Sequence, residues 1–89
     1  MKTLRLYSRP TCHLCELLGE EIALLIAGRA RLEVVNIDAD IELKKRFGLR
    51  IPILAAGEEE LSGYPLEITA LERYLSREPD EQAVGHIRV

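Results

Sequence analysis

The spacing of the apolar residues changes twice within residues 3 to 37, and this change restricts the fold more than any other feature of the chain. "TLRLY", residues 3 to 7, alternates Leu4 and Leu6 with Thr3, Arg5 and Tyr7. That two-residue period predicts a strand, closed by the turn residues Ser8 and Pro10. From His13 to Ala27, Leu14, Leu18, Ile22 and Leu25 recur at three- and four-residue steps with Leu17 and Leu24 beside them. This pattern predicts a helix that Gly28 stops. "LEVVNI", 32 to 37, is a β-branched run suited to a buried strand. Two strands joined through a helix pair in parallel with a right-handed crossover, so the first half of the chain commits to an α/β sheet.

The second half adds to that sheet. Asp38 or Asp40 can cap a short helix that runs through Phe47 and ends at Gly48. "IPILAA" and "EELSG" are two short strands with Gly57 and glutamates between them, hence a hairpin. Pro65 stands where a helix favours its first turn. Leu66, Leu71 and Leu75, with Ile68 and Tyr74, extend that helix to about Arg77. The predicted order is βαβαββα, with a mixed four-stranded sheet flanked by helices, in one domain over 1–77. Residues 78–89, "EPDEQAVGHIRV", show no clear period and are expected to form a C-terminal tail.

An 89-residue chain buries roughly 60–65% of its unfolded surface and needs no disulfide framework to fold. With 47% hydrophobic and 30% charged residues and a net charge of -3, it has the composition of a globular domain. Nothing in that balance favours nucleic acid. No apolar stretch approaches the ~18 residues of a spanning helix, and no signal-peptide pattern opens the chain. The expectation is a cytoplasmic protein without membrane contact, monomeric, in a reducing compartment where a lone CxxC more often does chemistry than bridges structure.

Both cysteines, Cys12 and Cys15, lie in "SRPTCHLCELL" at the start of the first helix. In an open α/β sheet, chemistry gathers beyond the carboxyl ends of the parallel strands, which is where this turn lies. A thiol at a helix N-terminus faces unpaired N–H groups and the positive end of the dipole, so its thiolate is favoured. Cys15, three residues on, projects from nearly the same face, while His13 and Leu14 turn away. The pair therefore has the arrangement of a reversible disulfide, with Cys12 attacking and Cys15 resolving. Two other readings stand beside it. The cysteines can be small apolar core residues. They can also be half of a zinc site, for which the chain supplies His13, His86 and carboxylates but no second CxxC.

"YSRPTCHLC" after a strand, "RIPIL" before a hairpin and "LSGY" before the last helix resemble the glutaredoxin-like branch of the thioredoxin-fold proteins, over about residues 2 to 77. The resemblance implies that Cys12 is the nucleophile and Cys15 the resolving thiol. It also implies that Arg9 is the basic residue near the nucleophile and that Pro52 is held cis, with the Ile51 backbone pairing with a substrate chain. Gly63 would match one glycine of the family's glutathione cradle. The implied activity is thiol–disulfide oxidoreduction on a protein or low-molecular-weight disulfide, with no bound cofactor and glutathione as candidate reductant. The chain departs from the family pattern at the dipeptide between the cysteines, His13-Leu14 rather than Pro-Tyr. It departs again at Ser62-Gly63-Tyr64-Pro65, where only one glycine matches and the acid is displaced to Glu67. A binding module of the same fold, with the CxxC as a switch, is the alternative.

Four further features complete the reading. His13, if protonated, would place positive charge near Cys12. Arg9 can attract a substrate carboxylate or stand as a solvated charge. Glu58, Glu59 and Glu60 read as a solvated turn. Lys44, Lys45, Arg46 and Arg50 form a small basic patch, able to steer an acidic partner or simply to solvate a helix face.

Overall fold

The computed structural model describes residues 2–77. Strand β1, Lys2–Ser8, leads through a tight turn into helix α1, His13–Ile26; strand β2 is Ala30–Asn36. A single 3-10 turn, Ile37–Ala39, precedes helix α2, Ile41–Phe47. Strands β3, Ile53–Ala56, and β4, Glu59–Ser62, form the hairpin, and helix α3, Ile68–Ser76, follows. The sheet order is β2-β1-β3-β4. Strand β1 is central: it runs parallel to β2, with Leu4 opposite Leu32, and antiparallel to β3, with Tyr7 opposite Ile53. The order of elements and the mixed four-stranded sheet agree with the sequence pattern. The tail at 78–89 lies outside the described residues.

Alternation along the strands divides the interior into two layers. Leu4, Leu6 and Leu54 face Leu18, Ile22 and Ile26 of α1 and Leu71 of α3. Tyr7, Ile53 and Ala55 face the opposite way, onto Ile37 and onto Phe47 of α2, with the Tyr7 and Phe47 rings stacked at 4.3 Å. Each fully buried leucine, isoleucine or phenylalanine contributes about 1.5–3 kcal/mol by leaving water. Losing one therefore removes a large share of a typical domain stability of about 5–15 kcal/mol.

Local chemistry sets the helix ends. Asp40, rather than Asp38, caps α2: its Oδ1 accepts from the N–H groups of Glu42 and Leu43 at 2.9 and 3.3 Å. At Gly48, which caps the end of α2, a Cβ would lie 2.5 Å from the Lys44 carbonyl oxygen, so the close approach requires glycine. Gly28 adopts φ +76, the left-handed conformation that ends α1. The last helix corrects the expectation from Pro65. The Ser62 hydroxyl accepts from the Glu67 N–H at 2.8 Å and holds 62–67 as a turn, so α3 starts at Ile68 and Pro65 precedes it.

The buried face of α1 is also a correction. The residues turned inward are Cys15, Leu18, Ile22 and Ile26, whereas Leu14, Leu17 and Leu24 are exposed.

Candidate functional site

Strand β1 ends at buried Ser8, and the turn Arg9-Pro10-Thr11 delivers Cys12 to the N-cap of α1. The turn closes through the Cys12 N–H, which donates to the Arg9 carbonyl at 3.3 Å. Thr11 takes φ 64, a conformation β-branched residues rarely adopt, and it reorients the chain immediately before the cysteine. The Cys12 carbonyl accepts from the Glu16 N–H at 3.1 Å, the first bond of the helix. Its Sγ accepts from the Cys15 N–H at 3.2 Å, so a sulfur stands where a capping oxygen usually does.

Cys12 and Cys15 are joined in a disulfide, with their Cα atoms 5.2 Å apart. Burial separates the two sulfurs chemically: Cys15 is 4% exposed, while Cys12 is only half-buried. A disulfide opened here leaves Cys12 as the accessible thiol, at the positive end of a fourteen-residue helix with an N–H directed at its sulfur. Both features favour the thiolate.

The other residues singled out from the sequence fall into three groups. Ile51, Pro52 and Gly63 are drawn to the same end of the sheet, because Tyr7 pairs with Ile53 and Leu54 with Ser62. The Ile51–Pro52 peptide bond is cis, Pro52 is buried, and a Cβ on Gly63 would sit 3.6 Å from the Pro52 carbonyl oxygen. The Ile51 N–H, however, donates to the Phe47 carbonyl at 3.1 Å. That N–H is therefore already engaged within the chain. Arg9 is not a loose charge: its Nε and Nη2 donate to Asp38 Oδ1 at 3.3 and 3.1 Å. His13 points outward, its side chain 79% exposed and its Nδ1 3.9 Å from Glu16 Oε1. The helix turns it away from the sulfurs.

A groove of about 760 Å³ opens between α1 and β2, lined by Cys15, Arg9, Gly19, Leu32, Val34 and Asn36 among others. Sequence reasoning missed it. The signal was Gly19 and Ala23, small residues four apart on the flank of α1 that faces β2. It also missed the Arg9–Asp38 pair, because the two residues lie 29 apart in sequence and Asp38 reads locally as a helix cap. Asp38 is itself held by its neighbour, its N–H donating to Asn36 Oδ1 at 2.9 Å.

Among the described residues, no group of three or more histidine, cysteine, aspartate or glutamate side chains is placed to hold a metal ion. The zinc arrangement that needs His86 lies outside those residues. No helix among the described residues is long and apolar enough to cross a membrane.

The model of the family described as Glutaredoxin-like domain (DUF836) matches residues 3–76. Among solved structures, the chain is similar to the X-ray structure of the Northeast Structural Genomics target protein XcR50 from X. campestris. The two are 36% identical, the match covers 85% of this chain and 99% of that one, and the TM-score is 0.64. No curated protein matches.

Proposed function

We propose that this chain, which belongs to the glutaredoxin-like domain family (DUF836), is a dithiol thiol–disulfide oxidoreductase with Cys12 as nucleophile and Cys15 as resolving thiol. The observation that carries the reading is the placing of Cys12 Sγ at the N-cap of α1, accepting the Cys15 N–H and bonded to the Cys15 sulfur.

In the reduced protein the Cys12 thiolate attacks one sulfur of a substrate disulfide. A Cys12–substrate disulfide forms, the substrate S–S bond breaks, and the departing thiolate takes up a proton. Cys15 then loses its proton and attacks Cys12 Sγ. The Cys12–Cys15 bond forms and the second substrate thiol leaves. Two electrons have passed from the protein's thiols to the substrate. Either two equivalents of a monothiol, of which glutathione is the candidate, or one dithiol restores the reduced pair. The Ile51 carbonyl, Pro52 and Gly63 form the wall against which an incoming chain lies, and Arg9 supplies positive charge beside it.

The test uses the reduced protein and a small neutral disulfide such as 2-hydroxyethyl disulfide. Cys12→Ser is expected to lose turnover, and Cys15→Ser to accumulate a mixed disulfide at Cys12 visible by intact mass. A Cys12→Ser protein that retains full turnover contradicts the reading.

A further inference from the structure

Lys44, Lys45 and Arg46 occupy the last turn of α2 and Arg50 follows it; together with Leu49 they face Arg9 across a groove of about 490 Å³. No acidic side chain lines this groove. Arg9 and Arg50 are each paired, with Asp38 and Glu60. Among the described residues Lys44, Lys45 and Arg46 form no ion pair. A cation in the last helical turn has a local role against the dipole. The dipole at the end of a seven-residue helix amounts to roughly half a charge, however, so it does not account for three. This concentration of positive charge stands in a chain whose net charge is -3.

Two further observations give the surface a direction. Leu49, in the turn between the helix and Ile51, is fully exposed. Arg9 lines this groove and also the groove beside Cys15, and its carbonyl accepts the Cys12 N–H. The basic groove therefore meets the turn that carries the disulfide.

We infer that this groove docks an acidic segment of a partner protein, flanking the disulfide that Cys12 attacks, with Leu49 as the apolar contact at its edge. The inference rests on the proposed exchange reaction and names its substrate class. An exposed apolar side chain beside a cluster of like charge has the makeup of a protein interface. A small thiol tripeptide carries too few carboxylates to engage three cations that have no ion pair among the described residues, of which Arg46 lies over the Phe47 ring, and it gives Leu49 nothing to cover. Single-stranded nucleic acid fits less well, because the aromatic ring in this region, Phe47, is buried and no aromatic side chain lines the groove for a base to stack on.

The test is a single-turnover reaction of the pre-reduced chain with three oxidised probes. These are a cystine peptide with five flanking glutamates, the same peptide with glutamines, and 2-hydroxyethyl disulfide. At low ionic strength the acidic peptide is expected to react about tenfold faster than its glutamine counterpart. The ratio should fall toward one at about 0.5 M salt, where charges are screened within a few ångströms. The triple substitution Lys44→Gln, Lys45→Gln, Arg46→Gln should bring the low-salt ratio below two while the rate with 2-hydroxyethyl disulfide is unchanged. Equal rates for the two peptides, or a ratio that the triple variant does not move, overturns the inference.

A second measurement separates docking from chemistry. A cysteine-free acidic peptide is titrated into the oxidised protein while backbone amide shifts are followed. Shifts centred on residues 44–50 support docking even if none of the three disulfides is reduced, an outcome that would contradict the exchange reaction instead. No shifts there, or tighter binding of a single-stranded oligonucleotide at the same amides, overturns it.

Discussion

The backbone N–H of Cys15 donates to the sulfur of Cys12 across 3.2 Å. A hydrogen bond to a charged acceptor contributes about 1.5–3 kcal/mol, so the same donor stabilises the Cys12 thiolate once the disulfide is opened. The amide proton of Cys15 should therefore report the charge on Cys12. In the reduced protein its chemical shift is expected to titrate with the midpoint of Cys12 and to be among those that move most. A Cys15 amide that ignores the Cys12 midpoint contradicts this geometry.

Arg9 is held by Asp38 rather than free. Both side chains are about one third exposed, so the pair contributes about 1 kcal/mol or less to stability. Its larger effect is on charge beside the cysteines. Asp38→Asn is expected to leave the unfolding midpoint nearly unchanged. It should also speed attack on a dianionic aromatic disulfide by about threefold or more relative to 2-hydroxyethyl disulfide, an advantage that salt removes. An unchanged ratio means that the Arg9 charge does not reach the substrate.

The inward face of α1 gives a stability prediction. Leu18 is fully buried between α1 and the sheet, while Leu24 is 83% exposed. Leu18→Ala is expected to cost about 2–5 kcal/mol in denaturant unfolding. Leu24→Ala should stay within about 0.5 kcal/mol. Comparable losses from both would show Leu24 covered by something in solution.

That comparison also shows what the sequence made legible. The βαβ beginning, the hairpin and the last helix followed from apolar period and turn residues, because Leu4 and Leu6 are buried on one face of β1 while Arg5 between them is exposed on the other, which preserves the alternation. The face of α1 did not follow. That helix carries more leucine and isoleucine than one face can bury, so three- and four-residue steps exist through Leu14 and Leu25 as well as through Leu18 and Ile26. The choice is made by packing against distant segments, which buries Leu18, Ile22 and Ile26 against Leu4, Leu6, Leu54 and Leu71. The cysteine pair was legible, since spacing and position at a helix start are local facts. The Arg9–Asp38 pair, the α1–β2 groove and the Phe47 carbonyl on the Ile51 N–H depend on contacts between distant segments.

Helix α3 is tied down by two exposed ion pairs with a defined pH response. Arg29 binds Glu72 at 3.0 and 3.2 Å, and Arg77 binds Glu59 at 2.9 and 3.2 Å. The hydrogen bonds from these guanidinium groups hold both carboxyls below the usual carboxylate range. A carboxyl whose pKa is lower in the folded chain adds stability that is fully present above its unfolded value of about 4.3. That stability is lost as pH falls through the folded value. The gap in Tm between the parent chain and Glu72→Gln should therefore be present at neutral pH and close in acid, and added salt should narrow it. A gap that widens in acid contradicts the assignment.

The proposed exchange reaction requires Cys12 to be the acidic, accessible thiol of the pair. The direct measurement is the alkylation rate of each cysteine in the fully reduced protein as a function of pH, read by mass spectrometry with fragmentation. Fragmentation is needed because no Lys or Arg separates Cys12 from Cys15, so trypsin leaves both thiols on one peptide. The account predicts that Cys12 titrates well below the ~8.5 of a free thiol and that buried Cys15 reacts slowly throughout. Both thiols titrating near ~8.5 at similar rates, or Cys15 reacting first, would contradict it.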